Sequence, residues 1–278
     1  MSDTRKVTVP PVADVAAVLR TAAERHILPA FRAETDPRIG EKDGGGLVTE
    51  VDHAVQAEVG TALRALTPEA AFLGEEMAEA DQVAALAEGE QGLWCLDPLD
   101  GTSNFVAGIP IFGVSAALLV AGRPELGVIF DPVRDELFAA VRGQGAWRNG
   151  QPLRVRHCSP LRRSIGVIDF KRLPAATASR LAGDPPYHSQ RNFGASVLEW
   201  CWLACGRVDF YLHGGQNLWD FAAGVLIAAE AGAEVGTLEG EPFFEGDSLR
   251  RSVLAVSDPA LREALAPYLW PGHEPGQG

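Results

Sequence analysis

The chain has 278 residues, of which 46% are hydrophobic, so it can build a substantial core from one large domain or two of ordinary size. Its formal net charge of −13 argues against general binding of nucleic acids or anionic membranes, because both need basic surfaces. Its apolar runs fall short of the ~20 residues of a membrane span, and its first residues lack the apolar segment of a signal peptide, so we expect a cytoplasmic protein.

The first quarter of the chain predicts two helices separated by a loop. Apolar residues recur at helical spacing over residues 12–31, with Pro29 near the end of the segment. Residues 36–46 are rich in glycine and charged residues, which predicts a mobile loop. Thr49 then begins a second helix. Its predicted apolar face consists of Val51, Val55, Val59, Leu63 and Leu66.

The middle of the chain predicts a series of short strands. Their apolar and β-branched stretches are residues 71–74, 92–97, 111–120, 125–131 and 136–141. An Asn-Gly pair within residues 148–151 is typical of a tight hairpin turn. The predicted strands and helices are interleaved along the chain, which indicates an α/β protein. The sequence shows no internal repeat.

The second half continues this mixture. Two strands and a buried helix are predicted at residues 164–170, 209–213 and 196–206. A strongly apolar helix runs into a strand over residues 219–235. Residues 252–269 predict a strand followed by a helix that is capped at Ser257. The tail at 271–278 is expected to be disordered.

The four cysteines and six histidines lack the spacing of a zinc site. There is no Cys-x-x-Cys pair, and Cys201 and Cys205, at helical spacing, are typical of core thiols. The histidines are scattered, which argues against an imidazole cluster. A metal ion in this chain would therefore be held among oxygen atoms.

Residues 97–105 read DPLDGTSNF and carry the strongest chemical pattern in the chain. Asp97 follows an apolar strand, at the end where α/β proteins commonly place ligands. With Asp100 and the Leu99 carbonyl, it offers the hard oxygen donors that Mg²⁺ uses, and a cation would relieve the repulsion between the two carboxylates. The alternative is that both aspartates only cap a turn beside Pro98.

Backbone N–H groups follow directly on these carboxylates. Gly101, Thr102 and Ser103 stand at the start of a short predicted helix that ends near Gly108. A helix N-terminus beside a metal ion suits a phosphate group.

Two adjacent glutamates end the predicted strand at 71–74. Glu75 could join Asp97 at a metal ion. Glu76 would then lie outside the residues that contact the ion and would help to position them. Taken alone, the same pair is typical of an exposed acidic surface.

Two further acidic residues stand in the first turn of a helix. Thr49 and Asp52 fit a capping box, a structural role that does not exclude a chemical one. Asp220 lies in the first turn of an otherwise apolar helix, where the helix dipole stabilises a carboxylate. Capping alone would also explain Asp220.

Together these motifs resemble the magnesium-dependent, lithium-sensitive inositol monophosphatase family within the fructose-1,6-bisphosphatase-like phosphatases. The resemblance covers nearly the whole chain, and its motifs occur in the order and spacing expected of that family. They are LVTEVD, GEE, DPLDGTSNFVAGIP, ELGVIFDPVRDELFAAVRGQGAWRNGQPLRV, RNFGAS and WDFAAGVLIAAEAGAEV.

The resemblance implies a set of magnesium ligands. One Mg²⁺ would be bound by Glu75, Asp97 and the Leu99 carbonyl, and a second by Asp97, Asp100 and Asp220. The family also allows a third, looser ion near Glu75.

The resemblance also implies a mechanism without a covalent phosphoenzyme. Thr102, helped by Asp52, would orient a water molecule whose pKa the metal lowers, for in-line attack on phosphorus. Glu75 would belong to the same catalytic group. The N–H groups of Gly101 and Thr102 would hold the phosphate oxygens.

The fold implied is a layered α/β/α/β/α sandwich, usually as a homodimer. We expect a subdomain at 1–153 that carries most metal ligands. We expect a second at 154–270 that carries Asp220 and the substrate contacts.

The substrate pocket departs from the family pattern at one position. Inositol-specific members carry an acidic residue seven positions before the aspartate of WD, where it binds sugar hydroxyls. Here that position is His213, which cannot supply a fixed negative charge, so it is expected to contact substrate differently. The RNFGAS segment implicates Gly194, Ala195 and Ser196 in the pocket, although a plain turn before a helix is the alternative.

The leading hypothesis is a Mg²⁺-dependent phosphatase of a small polyol or sugar phosphate similar to inositol 1-phosphate. Ser103, in DGTSNF, favours this branch over the one that cleaves sulfur-assimilation nucleotides. Histidinol phosphate and fructose 1,6-bisphosphate remain candidate substrates. A regulatory protein that binds transcription machinery is the hypothesis from another class, with the hairpin at 142–150 as its candidate surface. A catalytically dead binder is disfavoured, because every acidic ligand position is filled.

Overall fold

The computed structural model describes residues 7–33, 39–41, 47–157, 160–241, 243–244 and 249–270. The predicted tail at 271–278 lies outside these ranges. Most of the predicted loop at 36–46 also lies outside them, but its residues 39–41 form a strand, so that part of the loop prediction was wrong. This strand pairs antiparallel with residues 47–49, which satisfies backbone N–H and C=O groups of both segments.

The described residues contain both helices and strands along the whole chain. The α-helices are α1 Val12–Ala22, α2 Leu28–Arg32, α3 Glu50–Leu66, α4 Glu79–Glu88, α5 Thr102–Val106, α6 Ala175–Gly183, α7 Ser196–Ala204, α8 Leu218–Glu230 and α9 Pro259–Leu269. The first strands are β1 Ile39–Glu41, β2 Leu47–Thr49, β3 Ala71–Gly74, β4 Leu93–Asp100, β5 Gly113–Val120, β6 Arg123–Asp131 and β7 Glu136–Val141. The remaining strands are β8 Gly145–Arg148, β9 Gln151–Pro152, β10 Ile165–Asp169, β11 Ser189–Arg191, β12 Phe210–Asn217, β13 Glu234–Gly236 and β14 Arg250–Val256.

Beyond the β1–β2 hairpin, strands in the described ranges form two sheets. Strands β3 to β9 follow one another in chain order across a seven-stranded sheet. The second sheet has five strands in the order β11-β10-β12-β14-β13, with β10 parallel to both of its neighbours. Strands β4 and β5 alternate apolar side chains between their two faces and are buried on both, which explains their nearly continuous apolar sequences.

The sheets and helices stack as five layers. Helices α1 and α3 pack on the outer face of the seven-stranded sheet, around Leu19, Val59 and Trp94. Helices α7 and α8 lie between the sheets in a core that contains Trp200 and Phe221. Helices α6 and α9 cover the far face of the five-stranded sheet. The predicted α/β/α/β/α sandwich is confirmed.

The boundary predicted after residue 153 falls between the two sheets. However, the middle core joins apolar residues from both sheets through α7 and α8. The two subdomains therefore stay a prediction. None of the helices in the described ranges combines the length and apolar composition that a membrane span requires.

The first predicted helix is present with one irregular turn. A π-helical turn at Ala23–Ile27 joins α1 to α2, and Leu28 N–H donates to the Ala23 carbonyl. Pro29 explains the wider turn, because its ring would clash with the carbonyl four residues earlier in a regular α-helix. In the second helix, Val55, Val59 and Leu63 are buried as predicted, whereas Leu66 in the last turn is 36% exposed.

Three helices differ from the sequence prediction. The cap of α9 is Asp258, whose carboxylate accepts from Ala260 N–H at 3.0 Å, and not Ser257. Ser257 still donates its N–H to the Asp209 carbonyl, so the strand pairing extends to this residue. Helices α4 and α6 were not predicted, because neither has a side-chain N-cap to mark its start.

Candidate active site

Two aspartates of the site are placed by the C-terminal end of β4. The pairing of β4 with β5 shifts register between Asp97 and Asp100, which forms a bulge around Pro98. Leu99 N–H donates to Asp97 Oδ1 at 3.1 Å and fixes the first carboxylate. A bulge re-aims the side chains of a strand, so Asp97 and Asp100 can face one space despite standing three residues apart.

The third carboxylate comes from the start of α8. Asp220 is the third residue of that helix and forms a capping box with Asn217, whose N–H donates to Asp220 Oδ2 at 2.8 Å. The middle layer brings this turn against the end of β4. Carboxylate oxygens of Asp97, Asp100 and Asp220 all lie within 4.8 Å of one another. Capping and clustering are thus compatible roles for Asp220.

This carboxylate cluster, defined as Asp97, Asp100 and Asp220, is electrostatically unfavourable without a cation. Burial, followed by repulsion from Glu75, raises the pKa of Asp97 well above its ordinary value. Burial, followed by repulsion from Asp220, also raises the pKa of Asp100, although a hydrogen bond from Val197 N–H at 2.8 Å opposes the shift. Three converging carboxylates whose charged forms destabilise one another match the oxygen donor set of Mg²⁺.

Glu75 lies beside the cluster and not inside it. Its side chain hydrogen-bonds that of Asp97, and its N–H donates to the Leu96 carbonyl at 3.1 Å, which extends the pairing of β3 with β4. Glu76 is half-buried, and its N–H donates to Gln56 Oε1 at 2.9 Å. The structure therefore brings Glu75 to Asp97 and places Glu76 against α3.

Thr102 connects the cluster to α3. Its hydroxyl lies 3.1 Å from Asp52 Oδ1 and 2.9 Å from the Leu99 carbonyl. Asp52 is fully buried, and its other oxygen accepts the N–H of Thr49 at 2.8 Å as well as the Thr49 hydroxyl. The predicted capping box is present, and it holds Asp52 in place for Thr102.

The turn into α5 requires glycine. Gly101 has φ +88°, and a Cβ there would meet the Ile111 carbonyl at 2.8 Å. Only glycine adopts this conformation without strain, so the motif needs it for geometry as well as for any ligand. Ser103, two residues on, is exposed.

The predicted pocket segment leads from β11 into α7. Gly194 is exposed with φ +71°, whereas Ala195 is fully buried. Ser196 begins α7 and is half-buried. The segment is thus the turn before a helix, and it lies next to the cluster through Val197.

His213 is buried in β12, and both of its ring nitrogens have protein partners. Gly215 N–H donates to Nδ1 at 3.0 Å, which leaves the ring hydrogen on Nε2, 3.5 Å from Asp169 Oδ2. Burial raises the pKa of Asp169, but the interactions of its carboxylate with His213 and with Lys171 outweigh it, and the net shift is downward. Asp169, the last residue of β10, and His213, in the middle of β12, are register partners in parallel strands.

Three residues near the site were missed by sequence reasoning. They are Asn104, Asp169 and Glu199. Asp169 ends a predicted strand, and Glu199 is the one acidic residue in an otherwise apolar predicted helix, so each carried a readable signal.

Comparisons with known proteins show which family the chain resembles over nearly its whole length. The model of the inositol monophosphatase family matches residues 5–274. "Inositol monophosphatase 1" of Solanum lycopersicum is 35% identical, over 80% of this chain and 82% of its own length. "Nus factor SuhB" of Haemophilus influenzae is 37% identical, over 78% of this chain and 80% of its own. The crystal structure of the extragenic suppressor protein suhB from Bartonella henselae is 29% identical with a TM-score of 0.81, covering 94% of this chain and 99% of the other.

Proposed function

The chain belongs to the inositol monophosphatase family, and from this premise we propose that it is a Mg²⁺-dependent phosphomonoesterase of a small polyol or sugar phosphate. The observation that carries the proposal is the meeting of the carboxylate cluster with the Thr102–Asp52 pair. Metal-ligand chemistry and a proton acceptor thus share one site.

The cluster is proposed to hold magnesium. Asp97, Asp100 and Asp220 would bind it, with Glu75 and the Leu99 carbonyl as further ligands. When bound, Mg²⁺ supplies charge neutralisation for a phosphate ester and lowers the pKa of water at the site. The number of ions, two or three, is a prediction from the family.

Thr102 and Asp52 are proposed to direct the attacking water. When the Thr102 hydroxyl donates to Asp52 Oδ1, the hydroxyl oxygen is left to accept a hydrogen bond from the attacking water. This hydrogen bond orients a lone pair of the water toward phosphorus. Asp52 accepts without moving, because Thr49 holds its second oxygen. The N–H groups of Gly101 and Thr102 would hold the phosphate oxygens, with Ser103 at the exposed edge.

The leaving group is proposed to lie toward Gly194, Ala195, Ser196 and the end of β12. Both ring nitrogens of His213 are engaged with the protein, so the group that can accept a substrate hydroxyl at this end is the half-buried Asp169 carboxylate. A polyol phosphate similar to inositol 1-phosphate fits this chemistry. Histidinol phosphate and fructose 1,6-bisphosphate are the alternatives.

A regulatory role that contacts transcription machinery is supported by relatives named Nus factor SuhB, among them that of Haemophilus influenzae. The arginines of the hairpin proposed for that role form ion pairs within the protein. Arg142 pairs with Glu125, and Arg148 pairs with Glu136. This leaves the hairpin a weak basic surface. Phosphatase activity is therefore the function we favour.

Phosphate release tests the proposal. Inositol 1-phosphate, glycerol 2-phosphate, fructose 1,6-bisphosphate and histidinol phosphate would be supplied with and without Mg²⁺. We expect turnover that requires Mg²⁺ and that falls at least about 10³-fold in Asp97→Asn. Turnover that is independent of Mg²⁺, or unaffected by Asp97→Asn, would reject the assignment, and the preferred ester would name the substrate.

Homodimer formation, sensitivity to Li⁺ and a cytoplasmic location are further predictions from the family. Light scattering of the purified protein and Li⁺ titration of its activity test the first two. The free thiols of Cys95, Cys201 and Cys205 support a reducing compartment.

A further inference from the structure

The loop at 192–195, between β11 and α7, is restrained by one buried carboxylate. Glu199 Oε1 accepts the N–H of Phe193 at 2.8 Å and that of Gly194 at 3.2 Å. Gly194 has φ +71°, so both amides point inward toward α7. Glu199 therefore holds two successive amides of the loop that precedes Ser196, and the Gly194 N–H also lies 3.1 Å from Asn192 Oδ1 within the loop.

The same loop is restrained from the opposite side by Asn104. Its Nδ2 donates to the Phe193 carbonyl at 2.7 Å and to the Ile111 carbonyl at 2.9 Å. Asn104 lies in α5, two residues after Thr102. The loop is thus tied on its carbonyl side to the DGTSNF motif and on its amide side to α7.

Glu199 lies at the end of a buried polar network. The Tyr211 phenol lies beside the Glu199 carboxylate and receives a hydrogen bond from the Gln216 amide. Trp200 Nε1 donates in turn to Gln216 Oε1 at 3.0 Å. Every donor in this network leads toward the Glu199 carboxylate, which suits an acceptor-only group.

A charged residue at this place in α7 is costly. Glu199 is only 3% exposed, and burial raises its pKa to about 7 although Tyr211 and the two loop amides oppose the shift. Its neighbours Leu198 and Trp200 are fully buried, as expected for a helix between two sheets. Packing alone would favour an apolar residue here, so the carboxylate indicates a requirement of the loop.

We propose that Glu199 is a positioning residue that fixes the loop at 192–195 and so sets the shape of the leaving-group side of the substrate site. The inference rests on the proposed phosphatase function. The first turn of α7 also links this loop to the carboxylate cluster, because Val197 N–H donates to Asp100 Oδ2 at 2.8 Å. Glu199 acts through the loop backbone and does not itself touch the reacting atoms.

The test compares Glu199→Leu, which removes the acceptor, with Glu199→Gln, which keeps an oxygen for the two amides. We expect Glu199→Leu to speed amide hydrogen exchange of Phe193 and Gly194 at least about tenfold. We expect it to raise KM about tenfold, with kcat changed less than about threefold. Glu199→Gln should stay near wild type in both measurements.

Asp209→Asn is the matched control. Asp209 is also fully buried and accepts a backbone N–H, that of Ile165 at 2.8 Å, but it does not contact the loop. This variant should lower Tm without changing KM or the exchange of the loop amides. Unchanged loop exchange in Glu199→Leu, or an equal rise of KM in Asp209→Asn, would overturn the inference.

Asn104→Ala keeps the inference testable if Glu199→Leu does not fold. It frees the loop from its carbonyl side and should also raise KM and speed exchange at 192–195, whereas an unchanged KM and exchange would overturn the inference.

A wild-type protein that hydrolyses none of the esters would reject the proposed function. The exchange of Phe193 and Gly194 in Glu199→Leu would then still decide whether Glu199 holds the loop.

Discussion

Thr102 is the residue whose chemistry is most clearly separable from metal binding. Its hydroxyl reaches Asp52 and the Leu99 carbonyl, and Thr102 is not one of the three carboxylates of the cluster. We expect Thr102→Ala to lower kcat about 10²-fold, because the water loses its proton acceptor. KM and the Mg²⁺ concentration for half-maximal activity should change little in steady-state assays.

Thr102→Ser is the control for this substitution, since it keeps the hydroxyl. It should retain kcat within about tenfold of wild type. A Thr102→Ala variant with unchanged kcat would remove Thr102 and Asp52 from the mechanism.

His213 shows how the structure changes an expectation about specificity. The family pattern suggests that His213→Glu would improve the use of inositol phosphates. However, Asp169 lies 3.5 Å from His213, so a glutamate there would place two carboxylates together. We expect His213→Glu alone to lower kcat/KM for inositol 1-phosphate about tenfold.

The double variant His213→Glu with Asp169→Asn removes that repulsion. It should recover kcat/KM for inositol 1-phosphate relative to His213→Glu, as measured against glycerol 2-phosphate. If the single variant performs as well as the double, the pair does not set specificity.

Among the elements, α4 shows what positions Glu75. Gln82 is buried, and its Nε2 donates to the carbonyls of Gly74 at 3.2 Å and Glu75 at 3.0 Å. Gln82→Leu keeps the bulk but leaves both carbonyls without that donor, at a cost of about 1–2 kcal/mol in the free energy of unfolding. We expect the Mg²⁺ concentration for half-maximal activity to rise about tenfold, because the turn that carries Glu75 loosens.

Val83→Ala is the control on the same helix, because Val83 is 56% exposed. It should leave both the Mg²⁺ dependence and the free energy of unfolding close to wild type. An unchanged Mg²⁺ dependence in Gln82→Leu would separate α4 from the metal site.

Elements with a strong local pattern were predictable from the sequence, and those held by tertiary contacts were not. Three features could be recognised from short stretches of sequence alone. They are the capping box of Thr49 and Asp52, the Asn-Gly turn with positive φ at Asn149, and the apolar run of α8. Helix α4 has Ala78 at its N-cap and is fixed largely by its contacts with β3. Its existence therefore depends on a neighbour that spacing does not reveal.

The site shows the same division. Asp97 and Asp100 are close in sequence, but their approach to Asp220 depends on the middle layer lying between two sheets. Only the family resemblance anticipated that meeting. The partners of His213 and Glu199 follow from strand register and from a loop conformation, which side-chain types alone do not specify.

At the scale of the whole molecule, the cluster makes stability depend on pH and on magnesium. Burial and mutual repulsion raise the pKa values of Asp97 and Asp100 in the folded state. A carboxyl with a raised folded-state pKa contributes stability below its ordinary pKa, and this contribution is lost as pH rises through the raised value. Without Mg²⁺, we therefore expect Tm to fall as pH rises above the ordinary range of carboxyl pKa values.

Magnesium should reverse much of this loss, because it binds the folded state and neutralises the ionised carboxylates. At 100 times its Kd, a ligand adds about 2.7 kcal/mol to the free energy of unfolding, which corresponds to a rise in Tm of several degrees. Thermal unfolding at pH 6 and pH 8 with and without Mg²⁺, for wild type and for Asp97→Asn, measures the effect. The gain should be larger at about pH 8 and should largely disappear in Asp97→Asn, since that variant loses one of the charges that magnesium neutralises. A Tm that does not respond to Mg²⁺ at the higher pH would mean that the three carboxylates are held together by the fold alone.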